Sequence, residues 1–185
     1  YGVLPPVARI THDQALYWFL SGYTSKLAGT ERGVTAPEAT FSPCFGAPFL
    51  PLPPHRYAQL LRERLERVGS SVWLVNSGWS GGSIGTGQRM PIELTRAIVA
   101  AILDGALQNV ETAIDPLFGF AVPTAVQGVP AAFLRPRTHW ADAEAFDAAA
   151  ARLATELVKN FEQFELVVPR QVREAGPTLS ARLNR

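Results

Sequence analysis

Four positions near the middle of the chain have the spacing of a phosphate-holding loop, and two of them have its residue types. Gly82 and Gly87 occupy the glycine positions of the pattern G-x-x-x-x-G-K-[ST]. In that pattern backbone N–H groups wrap the anion, a lysine reaches the outer phosphates and a hydroxyl ligates magnesium. Here the last two positions are Gln88, which is neutral, and Arg89, whose cation repels a metal ion. The turn is kept and the reagents are lost, so a working phosphate loop is rejected, and a glycine-rich turn is the plain alternative. Elsewhere chemistry is sparse. His12, His55 and His139 have no partners at metal-ligand spacing. Cys44 has no local base signature, no G-x-S-x-G elbow occurs, and carboxylates such as Asp13 and Glu31 stand at arbitrary spacing.

The elements around the glycines are those that would position a ligand. "SSVWLVN", ending at Asn76, is a β-branched apolar run that predicts a buried strand. "PIELTRAIVAAILDG" predicts a helix, with Leu94, Ile98, Ala101 and Ile102 on one face, Pro91 in the first turn and Gly105 as the stop. Upstream, Thr11 caps an aromatic-rich helix from about Asp13 to Ser21, whose Tyr17, Trp18 and Phe19, with Tyr23, read as core and interface surface. "HRYAQLLRERLERVG" places Tyr57, Leu60, Leu61 and Leu65 at helical spacing, its charges forming a solvated face. "FGFAVPTAVQGVPAAFLRPRTHW" reads as extended, with one or two strands. "ADAEAFDAAAARLATELVKNFEQFE" is the longest helical pattern, capped by Asp142 or Ala141, and the tail beyond Glu165 reads as loosely held. No repeat and no linker divides the chain.

Composition narrows the class further. The 185 residues, 47% of them hydrophobic, suffice for a core. Seventeen basic and 16 acidic residues are spread evenly, giving a formal charge of +1 and no electrostatic case for nucleic acid or an anionic membrane. No apolar run has the length of a membrane span. A single cysteine fits a reducing cytoplasm. The only methionine is Met90 and the chain opens on "YGVLPPVARI", so a segment of a longer protein is expected.

In order along the chain, "YGVLPPVARIT", "FLSGYTSKLAGTERGVTAPEATFSPCFGAPF", "LVNSGWSGG", "GTGQRMPIELTRAI" and "DPLFGFAVPT" resemble the C-terminal part of an ATP-dependent phosphoenolpyruvate carboxykinase. The resemblance covers nearly the whole chain. It implies an α/β fold, namely part of the mononucleotide-binding C-terminal domain of a two-domain, kinase-like lyase. It also implies a cytoplasmic, gluconeogenic reaction in which oxaloacetate and ATP give phosphoenolpyruvate, CO2 and ADP, with a divalent metal, Mg or Mn. The true phosphate loop, the metal ligands and the N-terminal domain are then expected upstream of Tyr1, leaving no catalytic or metal-binding residue in this segment, which alone should be inactive.

The same resemblance answers the question raised by the glycines. It places Arg89 and Met90 beside the adenine and Thr95 in contact with the nucleotide, which suits a guanidinium plane, an adaptable thioether and a hydroxyl. The family often has lysine where Gln88 stands. Residues at about 24–41 correspond to an active-site lid, with Gly29 and Gly33 as hinges and Lys26 and Arg32 available to neutralise phosphate charge when water is excluded. The competing reading is a stand-alone, non-catalytic nucleotide-binding or assembly domain.

Overall fold

The computed structural model describes residues 1–26 and 38–179. The elements, in chain order, are β1 (Val7–Ile10), α1 (His12–Ser21), β2 (Tyr23–Lys26), β3 (Glu38–Phe41), α2 (Pro54–Val68), β4 (Val72–Val75), β5 (Trp79–Ser80), β6 (Gln88–Arg89), α3 (Ile92–Leu103), β7 (Thr112–Ile114), β8 (Ala121–Pro123), α4 (Ala131–Leu134), α5 (Pro136–His139), α6 (Ala143–Phe161) and α7 (Arg170–Glu174). The protein is thus mixed α/β. It divides into two compact units that interleave along the chain: one takes residues 1–10, 72–154 and 178 onward, the other residues 11–71 and 155–177. Because the chain enters each unit more than once, no composition shift or linker marks them in the sequence.

The first unit is built on an antiparallel four-stranded sheet in the order β4-β1-β8-β7. The apolar run before the glycines does form a strand, β4. It lies at the sheet edge and is half-buried, because only one of its sides is paired. Helix α3 packs its predicted face into a cluster of Val7, Met90, Ile98, Leu107, Val126, Val129 and Leu134, with Leu94, Ala101 and Ile102 at its margin. Asp104 ends the helix and Gly105 follows at φ +73°. Downstream of β8 the extended reading fails. The prolines at 130 and 136 start two short helical turns, α4 and α5, because a fixed φ with no N–H to satisfy suits a first turn. Asp142 then caps α6, its Oδ1 accepting from the N–H groups of Glu144 and Ala145 at 2.9 and 3.0 Å.

In the second unit Thr11 and Gln14 form the capping box that starts α1. Tyr17 is buried and stacks on Phe161 at 4.0 Å, and Leu16, Trp18 and Leu20 are buried with it. Helix α2 packs alongside, tied by the Arg62–Asp13 ion pair and by His12 Nε2 against the Ser70 carbonyl at 3.0 Å. Leu60, placed by its spacing on the inner face, is 51% exposed, and Ala58 is the residue of α2 that is buried. The described residues 166–177 beyond Glu165 are held at two points: Val172 of α7 is buried, and the Gly176 backbone lies against the Tyr17 ring. An apolar residue at 172 and a glycine that admits an aromatic ring are too few to show as a periodic signal. Strands β2 and β3 form an antiparallel ladder from Tyr23↔Phe41 to Lys26↔Glu38.

Candidate functional site

The glycine stretch is a β-ribbon with a folded tip. Trp79 pairs with Arg89 and Ser80 with Gln88, and the Met90 N–H continues the closure onto the Gly78 carbonyl at 2.9 Å. At the tip the Ser83 carbonyl accepts from the N–H groups of Thr86 and Gly87 at 3.1 and 2.7 Å, and from the Thr86 hydroxyl at 3.2 Å. A Cβ on Gly82 would come within 2.6 Å of Gly87 N, so only glycines permit this closure. These N–H groups are consumed inside the loop. A phosphate loop needs them open to the anion and runs directly into its helix. Here β6 intervenes and α3 begins only at Ile92. At Gly82–Gly87, then, two loop N–H groups are engaged within the loop and no helix follows it directly.

What the ribbon does present is Arg89, followed at once by the start of α3. Arg89 is exposed, and its guanidinium has no ion-pair or hydrogen-bond partner among the described residues. Met90 is only 9% exposed and belongs to the core cluster, so its side chain anchors the junction from below. Pro91 precedes the helix without any side-chain cap. Thr95 lies one turn into α3, half-buried, its N–H on the Pro91 carbonyl at 3.3 Å and its hydroxyl without a partner among the described residues. Glu93 stands in the same first turn. Its carboxylate compensates the helix dipole and repels a polyphosphate from this end. The corner thus presents a cationic plane on one strand, a hydroxyl one turn into the helix with no partner among the described residues, and a carboxylate in the helix's first turn.

Two later residues lie behind the same loop, one beside it and one through Gly2. The His139 ring edge fills the space a side chain on Gly81 would take, and the Trp140 indole N–H donates to the Gly2 carbonyl at 2.9 Å. The sequence offers no local signal for either contact, since they join segments dozens to more than a hundred residues apart. His139 is half-buried. The other predicted site residues stand differently. Gly29, Arg32 and Gly33 lie outside the described residues, as does Glu31, and Lys26 is described only by its backbone in β2. Asp13 is committed to Arg62. Burial pushes the Cys44 thiol up to about 11. Among the described residues no group of three or more His, Cys, Asp or Glu is arranged to hold a metal ion, and no helix is long and apolar enough to cross a membrane. A cavity of about 250 Å³ lined by Leu16, Leu20, His55, Arg62 and Val172 lies in the second unit and includes none of the predicted nucleotide residues.

Comparison with known proteins gives one consistent answer. A family model described as phosphoenolpyruvate carboxykinase matches residues 1–132. The chain is 58% identical over 181 residues to the phosphoenolpyruvate carboxykinase (ATP) of Rhizobium rhizogenes, covering 98% of this chain and 34% of that protein. It is 55% identical over 179 residues to that of Brucella suis, covering 97% and 33%. It is 58% identical over 176 residues to phosphoenolpyruvate carboxykinase (ATP) 1 of Moorella thermoacetica, covering 95% and 33%. The chain thus spans about a third of the length of the curated relatives it matches.

Proposed function

The chain belongs to the ATP-dependent phosphoenolpyruvate carboxykinase family, and from that premise we propose that it supplies the adenine-binding corner of an enzyme that converts oxaloacetate and ATP into phosphoenolpyruvate, CO2 and ADP. The domain it belongs to is the mononucleotide-binding C-terminal domain, and the reaction serves gluconeogenesis in the cytoplasm. The observation that carries the reading is the junction of β6 and α3, where an exposed Arg89 and the Thr95 hydroxyl, both without a partner among the described residues, flank a helix start that has no side-chain cap.

In this reading Arg89 lays its guanidinium plane on the purine, Thr95 hydrogen-bonds the ring edge or the ribose, and Met90 fixes the junction beneath them. Glu93 turns the phosphate chain away from the helix start, so the base and not the triphosphate is selected here. The divalent metal that such an enzyme uses finds no ligand set among the described residues. What this chain contributes is binding and orientation: with the nucleoside held at one end, the outer phosphate is directed toward catalytic groups supplied by the rest of the enzyme.

The test compares two proteins in one assay of oxaloacetate, ATP and manganese. The full-length polypeptide is expected to release phosphoenolpyruvate and CO2, and the isolated chain to give background. A metal-dependent turnover by the isolated chain matching the full-length protein refutes the division of labour, and no turnover by the full-length protein refutes the activity.

A further inference from the structure

The loop that carries Arg89 is held from behind by His139 and Trp140. His139 closes α5, and a Cβ on Gly81 would come within 3.2 Å of its Cδ2 and Nε2, so the ring edge fills the space beside the loop backbone that a side chain there would take. Gly81 sits at φ +71°, a conformation that brings its backbone up to the ring and disfavours any side chain that would hold it away. The Phe133 ring backs the imidazole at 4.7 Å. Trp140 bears on the next glycine through a relay. Its Nε1–H holds the Gly2 carbonyl at 2.9 Å, and Gly2 packs so tightly on Gly82 that a Cβ there would run into the Gly82 carbonyl oxygen. The indole is itself fixed edge-on against Phe146 at 5.6 Å and 84°. Consecutive side chains therefore bear on consecutive glycines of the tip, immediately beside the Ser80↔Gln88 and Trp79↔Arg89 pairs.

A ribbon of two residue pairs does not hold its own tilt, since even longer isolated hairpins are marginal in water. We infer that His139 and Trp140 are positioning residues for nucleotide recognition: they set the angle of the β5–β6 ribbon, and through it the place of the Arg89 guanidinium over the base. The inference rests on the reading of Arg89 as a base clamp. Neither residue touches the ligand, so losing one misplaces the clamp without removing it, and the loss falls on the nucleoside rather than on the phosphates or the chemistry.

The experiment uses the full-length enzyme, with ATP and inorganic tripolyphosphate as probes. Trp140→Phe keeps an aromatic ring against Phe146 and removes the donor to Gly2, and His139→Ala removes the ring from Gly81. Each is expected to raise the KM for ATP about 3- to 10-fold, the range of one lost hydrogen bond. The kcat, the KM for oxaloacetate and tripolyphosphate binding should move less than about twofold on the same scale. His139→Phe, which restores a ring at Gly81, should recover most of the loss, and Trp140→Phe added to Arg89→Ala should cost nothing further, because the group being positioned is already gone. If Arg89→Ala weakens ATP while Trp140→Phe and His139→Ala leave it unchanged, the positioning role is wrong and the clamp stands. Parallel losses for ATP, oxaloacetate and thermal stability make the two residues merely structural and overturn the inference. Should Arg89→Ala itself leave ATP affinity intact, the clamp fails and the inference falls with it.

Discussion

Arg89→Ala separates a base clamp from a phosphate site. The guanidinium is exposed and unpaired among the described residues, so its removal leaves no buried group unsatisfied. Stability should therefore change by no more than about 0.5 kcal/mol. A cation over an aromatic face is worth about 0.5–1 kcal/mol when exposed and about 2 when desolvated. Since the base would cover one face of the guanidinium and leave its edge in water, ATP should weaken by about 1–2 kcal/mol, or about 5- to 30-fold in Kd. Tripolyphosphate should be nearly indifferent, because the Thr86 and Gly87 N–H groups of the loop are already bonded to the Ser83 carbonyl. Calorimetric titration of both ligands into the full-length wild type and variant measures the two numbers side by side. If tripolyphosphate weakens as much as ATP, Arg89 is a phosphate ligand, and the argument from the closed glycine tip is refuted.

Thr95→Val, nearly isosteric, should weaken ATP by about 0.5–1.5 kcal/mol, the range of one hydrogen bond, with an unchanged denaturation midpoint; a midpoint shift without an affinity change points instead to a packing role. Ile98→Ala empties the centre of the first unit's core cluster and should cost about 2–5 kcal/mol in a urea titration, a loss below about 1 contradicting its complete burial. Thr11→Ala removes the capping-box acceptor of α1 and should cost about 1 kcal/mol on the same axis, with Thr11→Asp close to wild type. Cys44 alkylation should rise with a midpoint near pH 11, because burial favours the neutral thiol. The stability this raised value contributes is complete below the unfolded value of 9.0 and is lost as pH climbs through about 11. A midpoint near that of a free thiol refutes the burial argument.

Local signals were legible and non-local ones were not. The Thr11 cap, the apolar face around Ile98 and the Asp142 cap, one of the two candidates there, are set by residues within a few turns of one another, so their chemistry can be read from nearby sequence, and all three stand in the structure. The identity of the family was legible too, because whole blocks such as "GTGQRMPIELTRAI" carry it. The two-pair ribbon was hidden inside what reads as a glycine loop, since two residues per strand are too few for an alternating pattern. Leu60 illustrates the limit of spacing: a face wide enough to include it is wider than the face that α1 covers. The docking of Val172 and the contacts of His139 and Trp140 depend on partners far along the chain, which no window of sequence contains.

The placement of β1 has a consequence for biosynthesis. This strand is an inner one, flanked by β4 and β8, and Val7 and Ala8 are fully buried. Its first partner, Val75 opposite Val7, is 68 positions later, and its second begins at Ala121. At about 5–20 residues per second, a ribosome takes roughly 3–14 s to add those 68 residues. Through that interval an apolar strand with two open hydrogen-bonding edges is outside the tunnel or entering it, while residues 11–71, which belong to the other unit, are being added. Slow decoding between Ser71 and Val75 should prolong that exposure and raise the share of chains captured by holdase chaperones, whereas the same delay placed after Pro123, once both partners have emerged, should not.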